Sequence, residues 1–192
     1  KECRECWTVE DGNVLVGIDA SGLELRMLAH YMRDEEYTNE ILSGDIHTKN
    51  MKAAGLTNRD QAKTFIYAFL YGAGPAKIGA IVGGGEREGK KLIDSFLANT
   101  PALKTLRQKV DRLAKRGWLP SLDGRRLMVR SPHAALNVLL QGAGAVVMKQ
   151  ALVLLHSILN RVIMDASFVA NVHDEWQIET NEKLAESVGQ AG

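Results

Sequence analysis

The order in which hydrophobic period changes along the chain limits the fold more than any one motif. Val14-Leu15-Val16-Gly17-Ile18 is a short apolar run rich in β-branched residues, and it reads as a buried strand ending at Asp19. A long stretch of helical periodicity follows. Asp123-Gly124 then lies between runs at 118–119 and 126–130, a good hairpin signal. A long helix is predicted from Pro132 to about Asn160. Two more strands, 167–172 and 176–180, flank a turn holding His173, Asp174 and Glu175. Strand, helical block, hairpin, long helix, hairpin is an α+β order. Its simplest arrangement is one antiparallel sheet backed by helices, with the helical block as a separate lobe.

Within that block the local signals are specific. Leu25, Leu28 and Ala29 give a helix over 22–32, and Gly44-Asp45-Ile46-His47 opens another. The segment 58–71 has Thr57 or Asn58 as cap, Asp60 at its positive end and Gly72 as its stop. Pro75 begins a short helix over 75–82, and Gly83-Gly84-Gly85 breaks it. Segments 86–99 and 102–116 alternate charged and apolar faces. There is no repeat and no low-complexity tract.

Composition enters by exclusion. At 45% hydrophobic, the 192 residues can bury a real core. A net charge of +1 does not mark a nucleic-acid binder, so any basic surface must be local. Cys3 and Cys6 form a lone C-x-x-C without the further ligands a zinc site needs, and ordinary thiols in a reducing cytoplasm fit them better. No apolar run reads as long enough to cross a bilayer, so no membrane partner is expected.

Two carboxylates carry the first chemical signal. Asp19 ends an apolar strand and Asp174 sits in a turn between two others, with Glu175 beside it. Alone, each reads as a helix cap or a surface turn. Together on neighbouring strand ends they repel unless cations lie between them, and hard oxygen ligands suit Mg²⁺. Two such ions activate an attacking hydroxyl and steady a leaving phosphate.

The helix over 58–71 matches that need. Arg59, Lys63, Tyr67 and Tyr71 are spaced four apart, and each step drifts only ~40° around a helix. One stripe therefore carries guanidinium, ammonium and two rings, with the cations at the end where the helix dipole favours anions. A nucleoside triphosphate fits along it; the alternative is an amphipathic helix with a polar face. A second stripe, His133, Asn137 and Gln141, stands out among leucines and presents donors suited to minor-groove acceptors, or simply a solvated face. Gly84-x-x-x-x-Gly89-Lys90 imitates a P-loop. Lys91 stands where Ser or Thr should hold Mg²⁺, and Glu86 and Glu88 would face the phosphates, so a link between helices fits better.

These residues resemble the family A DNA polymerases, the DNA polymerase I group. Asp19-Ala20-Ser21-Gly22-Leu23-Glu24-Leu25-Arg26 resembles motif A, Arg59-x-x-x-Lys63-x-x-x-Tyr67-x-x-x-Tyr71-Gly72 resembles motif B, and Val172-His173-Asp174-Glu175 resembles motif C. Asp45-Ile46-His47-Thr48 and 131–137 fit as well. The wording is nearest to replicative polymerases of short-tailed bacteriophages, and the resemblance spans nearly the whole chain.

The resemblance implies a right-hand fold. Palm would occupy 1–45, fingers 46–112 with the motif B helix at 58–72, and palm again 113–192, truncated at both ends. Asp19, Asp174 and the Ala20 carbonyl would hold two Mg²⁺, with Glu175 a less essential acid. Arg59, Lys63 and His47 would bind the triphosphate, and Lys63 would assist the leaving pyrophosphate. Glu24 and Tyr71 would exclude ribonucleotides, and Tyr67 would stack on the incoming nucleotide. His133, Asn137, Gln141 and Arg125 would contact DNA. A phenol at Tyr67, where the family has Phe or Tyr, would replace the contact of a missing sugar 3′-hydroxyl, so dideoxynucleotides would be accepted readily.

Implied partners are primer-template DNA and dNTPs, with a processivity factor and a replicative helicase beyond them, in the cytoplasm of an infected bacterial host. Neither a thumb nor an exonuclease is expected within these residues, so the isolated chain is expected to be weak or inactive. Two rivals are weighed. A single-subunit RNA polymerase shares the architecture but is disfavoured by Glu24 and Glu175. A non-catalytic DNA-binding remnant would have lost a carboxylate or Lys63, and all are present.

Overall fold

The computed structural model describes residue 6, residues 8–162 and residues 165–192. Cys3 therefore lies outside the described residues, while Cys6 is exposed. Fourteen regular elements are described, and the chain divides into two compact units, one of residues 1–23 with 144–192 and one of residues 24–143.

The first unit is built on strands β1 (Asn13–Asp19), β4 (Ala166–Val172) and β5 (Glu175–Asn181). They form an antiparallel sheet in the order β1-β5-β4, so the strand latest in sequence lies at the centre. Alternation divides its residues. Val16, Ile18, Trp176 and Ile178 turn to one face and pack with Met148, Leu155 and Leu159 of helix α8 (Ala135–Val162) and Val188 of helix α9 (Ala185–Ala191). Leu15, Gly17 and Asp19 turn to the other, opposite Glu179, Gln177 and Glu175. The bulge between Phe168 and Ala170 inserts Val169 into β4. The turn joining β4 to β5 is shorter than expected: Glu175 is already the first residue of β5, and only His173 and Asp174 lie between the strands, His173 with a φ of 57°.

The second unit is mainly helical: α1 (Leu23–Met32), α2 (Glu35–Ser43), α3 (Ile46–Ala54), α4 (Arg59–Leu70), α5 (Pro75–Ala80), α6 (Glu86–Asn99) and α7 (Pro101–Ala114). Its core is centred on Phe65, Phe69 and Phe96, whose rings meet edge-on at 5.2 and 5.5 Å around Phe96. Asn58 caps α4 by accepting from the backbone N–H groups of Asp60 and Gln61, as expected. Helix α2 was not foreseen. Its polar sequence buries only Tyr37, so its period is faint, although Asp34 caps it through the Tyr37 N–H.

Two expectations are corrected. The strands do not form one sheet, because β2 (Trp118–Pro120) and β3 (Arg126–Met128) make a separate two-stranded sheet. Each strand is three residues long, Pro120 lacks a donor, and Leu119 is buried in the helical core, so the hairpin is held by side-chain packing on the helices rather than by a larger ladder. The stretch Pro132–Val162 is also long and apolar enough, by length and hydropathy, to cross a membrane. Leu136, Leu139 and Leu140 belong to one hydrophobic cluster and Met148, Leu155 and Leu159 to the other, while Val153, Leu154, Ile158 and Val162 are exposed together with Lys149, Gln150 and His156.

Candidate functional site

In the first unit the register brings the acidic residues to one end of the sheet. Asp19, last in β1, stands opposite Glu175, first in β5. The Ala20 N–H donates to the Asp174 carbonyl at 2.9 Å, which carries the antiparallel ladder one step past the strand ends. Residues 19–20 and 174–175, far apart in sequence, are thus locked side by side. Glu175 accepts a hydrogen bond from the Gln177 amide. Gly17 makes room for that pair: a Cβ there would lie 2.9 Å from Gln177 Nε2 and 3.2 Å from Glu175 Oε1. Among the described residues no group of three or more His, Cys, Asp or Glu side chains forms a metal centre. The Asp19 and Asp174 carboxylates and the Ala20 carbonyl could supply a hard but incomplete oxygen set. That suits Mg²⁺, which binds through one or two carboxylates and takes its remaining ligands from water and phosphates.

In the second unit the N-termini of α3 and α4 come together. Asp45 caps α3, and its Oδ1 accepts from the His47 and Thr48 N–H groups at 3.1 and 3.3 Å. Its Oδ2 accepts from Thr48 Oγ1 at 2.8 Å. Arg59, first in α4, reaches the same carboxylate through Nε at 2.8 Å and Nη2 at 3.1 Å. The Arg59 guanidinium holds Asp45 well below the usual carboxylate range, and Asp45 in turn raises Arg59. The His47 ring lies 6.4 Å from the Tyr67 ring, and its Nδ1 is buried with no hydrogen-bond partner. Burial pushes the His47 pKa down, and the positive charges of Arg59 and Lys63 push it further. Exposed Lys63 is one turn beyond Arg59. Two helix N-termini, a guanidinium held by Asp45, an exposed ammonium and an imidazole in their field are the kinds of group that could hold a polyanion.

A second cluster in the same unit joins three helices. Tyr71 caps the C-terminus of α4, and its hydroxyl donates to Glu24 Oε1 at 3.1 Å. The Gln141 amide donates to the same oxygen at 2.9 Å and lies 3.5 Å from the Tyr71 hydroxyl. Gly72 follows with a φ of 77°, and a Cβ there would stand 2.2 Å from the His133 carbonyl oxygen. The close approach requires glycine and fixes the backbone at the start of the second stripe. His133 lies in a 3₁₀ turn before α8, and Asn137 and Gln141 follow on α8 itself. Arg125 pairs with Asp123 in the β2–β3 turn.

The structure therefore groups Asp19, Ala20, Asp174 and Glu175 in one unit. In the other it groups Arg59, His47 and Tyr67, and separately Glu24, Tyr71 and Gln141. Asp45 was missed as a site residue. Its place two residues before His47, at a helix start, was visible, but its long-range bond to Arg59 was not.

Comparisons with known proteins place the chain in a family. Residues 1–191 match DNA polymerase family A. The DNA-directed DNA polymerase of Escherichia phage T7 is 49% identical over 189 residues, covering 86% of this chain and 27% of its own. That of Enterobacteria phage T3 is 48% identical over 200 residues, covering 91% and 28%. DNA polymerase I, thermostable, from Thermus aquaticus is 30% identical over 207 residues, covering 96% and 25%. The chain thus spans about a quarter of the length of these relatives, and the phage proteins resemble it more than the bacterial one, as the motif wording led us to expect.

Proposed function

Because this chain belongs to DNA polymerase family A, we propose that it carries the nucleotidyl-transfer residues of a phage replicative enzyme. The reaction is template-directed transfer of dNMP from a dNTP to a primer 3′-hydroxyl. In this reading residues 1–45 and 113–192 are palm, and residues 46–112, with helices α3 to α6 and most of α7, are fingers.

The observation that carries the proposal is the strand register that sets Asp19 and Ala20 beside Asp174 and Glu175. Asp19, Asp174 and the Ala20 carbonyl would hold two Mg²⁺. When bound, such ions lower the pKa of the primer hydroxyl and neutralise charge on the leaving pyrophosphate. Arg59 and Lys63 bind the β- and γ-phosphates and orient the α-phosphorus. Lys63 also donates a proton or a charge-assisted hydrogen bond to the pyrophosphate as the α–β bond breaks. Tyr67 stacks on the nucleotide. Tyr71, held by Glu24 and Gln141, lies against the sugar edge and excludes a 2′-hydroxyl. His133, Asn137 and Arg125 contact primer-template. Positioning and charge neutralisation then provide most of the rate.

The test is single-nucleotide incorporation by the full-length protein carrying this sequence, beside its Lys63→Ala variant. A kcat fall of ~10²-fold or more with a smaller change in primer-template affinity is expected for loss of an acid in the transition state. Unchanged kcat would remove Lys63 from the chemistry.

A further inference from the structure

We propose that Asp45 is a positioning residue for the incoming nucleotide, fixing Arg59 side-on so that the far end of its guanidinium is presented to the triphosphate. The inference rests on the triphosphate reading of Arg59 and Lys63.

Five donors converge on the Asp45 carboxylate: two backbone N–H groups of α3, the Thr48 hydroxyl, and Nε and Nη2 of Arg59. A helix cap requires only the first two. The two guanidinium contacts tie Arg59 of α4 to the N-terminus of α3. Arg59 and Asp45 are both about half exposed, at 51% and 44% of their side-chain surface. An ion pair in that setting contributes little to stability, so its geometry calls for another reason.

Guanidinium chemistry supplies one. The group has five N–H donors in a plane, and a carboxylate on the Nε–Nη2 edge engages two of them. One Nη1 proton and the second Nη2 proton point along the far end, in the fork that matches two phosphate oxygens. An arginine at an exposed helix start would otherwise sample many rotamers, and holding one before the ligand arrives lowers the entropy lost on binding. The charge at Asp45 also offsets the like-charge crowding of Arg59 and Lys63 that a ligand-free site must tolerate, and it opposes their effect on His47.

Simple electrostatics argues the other way, since a carboxylate near a phosphate site repels the phosphate. The two effects have opposite signs and can be separated by experiment. Asp45→Asn keeps an N-cap side chain of nearly equal quality but loses the charge-assisted bond to Arg59. In the full-length protein, dNTP KM and kcat would be measured for wild type, Asp45→Asn, Arg59→Ala and the double variant, with thermal unfolding as a control on the cap. Asp45→Asn is expected to raise KM about tenfold, to leave kcat within about twofold and to add little to the Arg59→Ala defect, as coupled partners do. An unchanged or lowered KM in Asp45→Asn, or additive defects, would overturn the positioning role. An unchanged KM in Arg59→Ala would instead overturn the triphosphate reading beneath it.

Discussion

Tyr67 lies 6.4 Å from His47 on the cationic stripe of α4, so both rings stand where a nucleotide would meet Arg59 and Lys63. If the Tyr67 hydroxyl replaces the contact of a missing 3′-hydroxyl, the full-length protein should incorporate dideoxynucleotides nearly as well as dNTPs. Tyr67→Phe should then discriminate against them by on the order of 10²-fold or more, the size of a hydrogen bond the site is built to make. Chain-termination ladders would show this, and equal termination by both proteins would remove the role. His47 gives a pH effect of definite sign. Burial and the two cations hold its pKa below the ordinary 6.5, so the empty site resists protonation. A bound triphosphate offsets the cations and raises that pKa, so binding takes up protons and strengthens as pH falls toward about 6. The ligand's own ionisation is common to both proteins, so a flatter profile in His47→Gln isolates the side chain. The shared stripe of Arg59, Lys63 and Tyr67 on α4 was legible at residue scale because period-four spacing is local. The Arg59–Asp45 bond was not, because it depends on where a second helix begins.

At the scale of elements, the informative contacts are those that join helices. Glu24 on α1, Tyr71 at the end of α4 and Gln141 on α8 share one carboxylate oxygen. Removing it with Glu24→Ala frees the Tyr71 ring, and ribonucleotide incorporation should rise by on the order of tenfold or more relative to deoxynucleotides. No change would show that the cluster does not guard the sugar. Gly72 fixes the backbone after α4. Gly72→Ala combines a left-handed φ with a Cβ only 2.2 Å from the His133 carbonyl, and should cost about 2–4 kcal/mol in denaturant unfolding. Spacing relates Gln141 to His133 and Asn137, but its partners Glu24 and Tyr71 lie on other helices that spacing cannot relate. Helices with strong apolar period and a capping residue were readable, as α4 shows. Helix α2 was not, because a polar nine-residue segment with one buried tyrosine carries almost no period.

At the scale of the molecule, strand existence and antiparallel pairing could be read from the sequence, but sheet membership could not. Three-residue strands carry no information about which edge they join, and β2 and β3 are fixed by Leu119 in the helical core. The acidic site was readable because each carboxylate follows an apolar strand, and a central β5 necessarily pairs with both β1 and β4. The relatives are nearly four times as long as the segment matched, so the proposed activity is tested on the full-length protein. The most direct measurement is primer extension by that full-length protein with Mg²⁺ and dNTPs, beside Asp174→Ala with DNA binding measured in parallel. Template-dependent extension by the parent, reduced by ~10³-fold or more in the variant at unchanged DNA affinity, is the expected result for loss of a metal-holding carboxylate. Equal extension by both proteins, or none by a parent that binds primer-template, would contradict it.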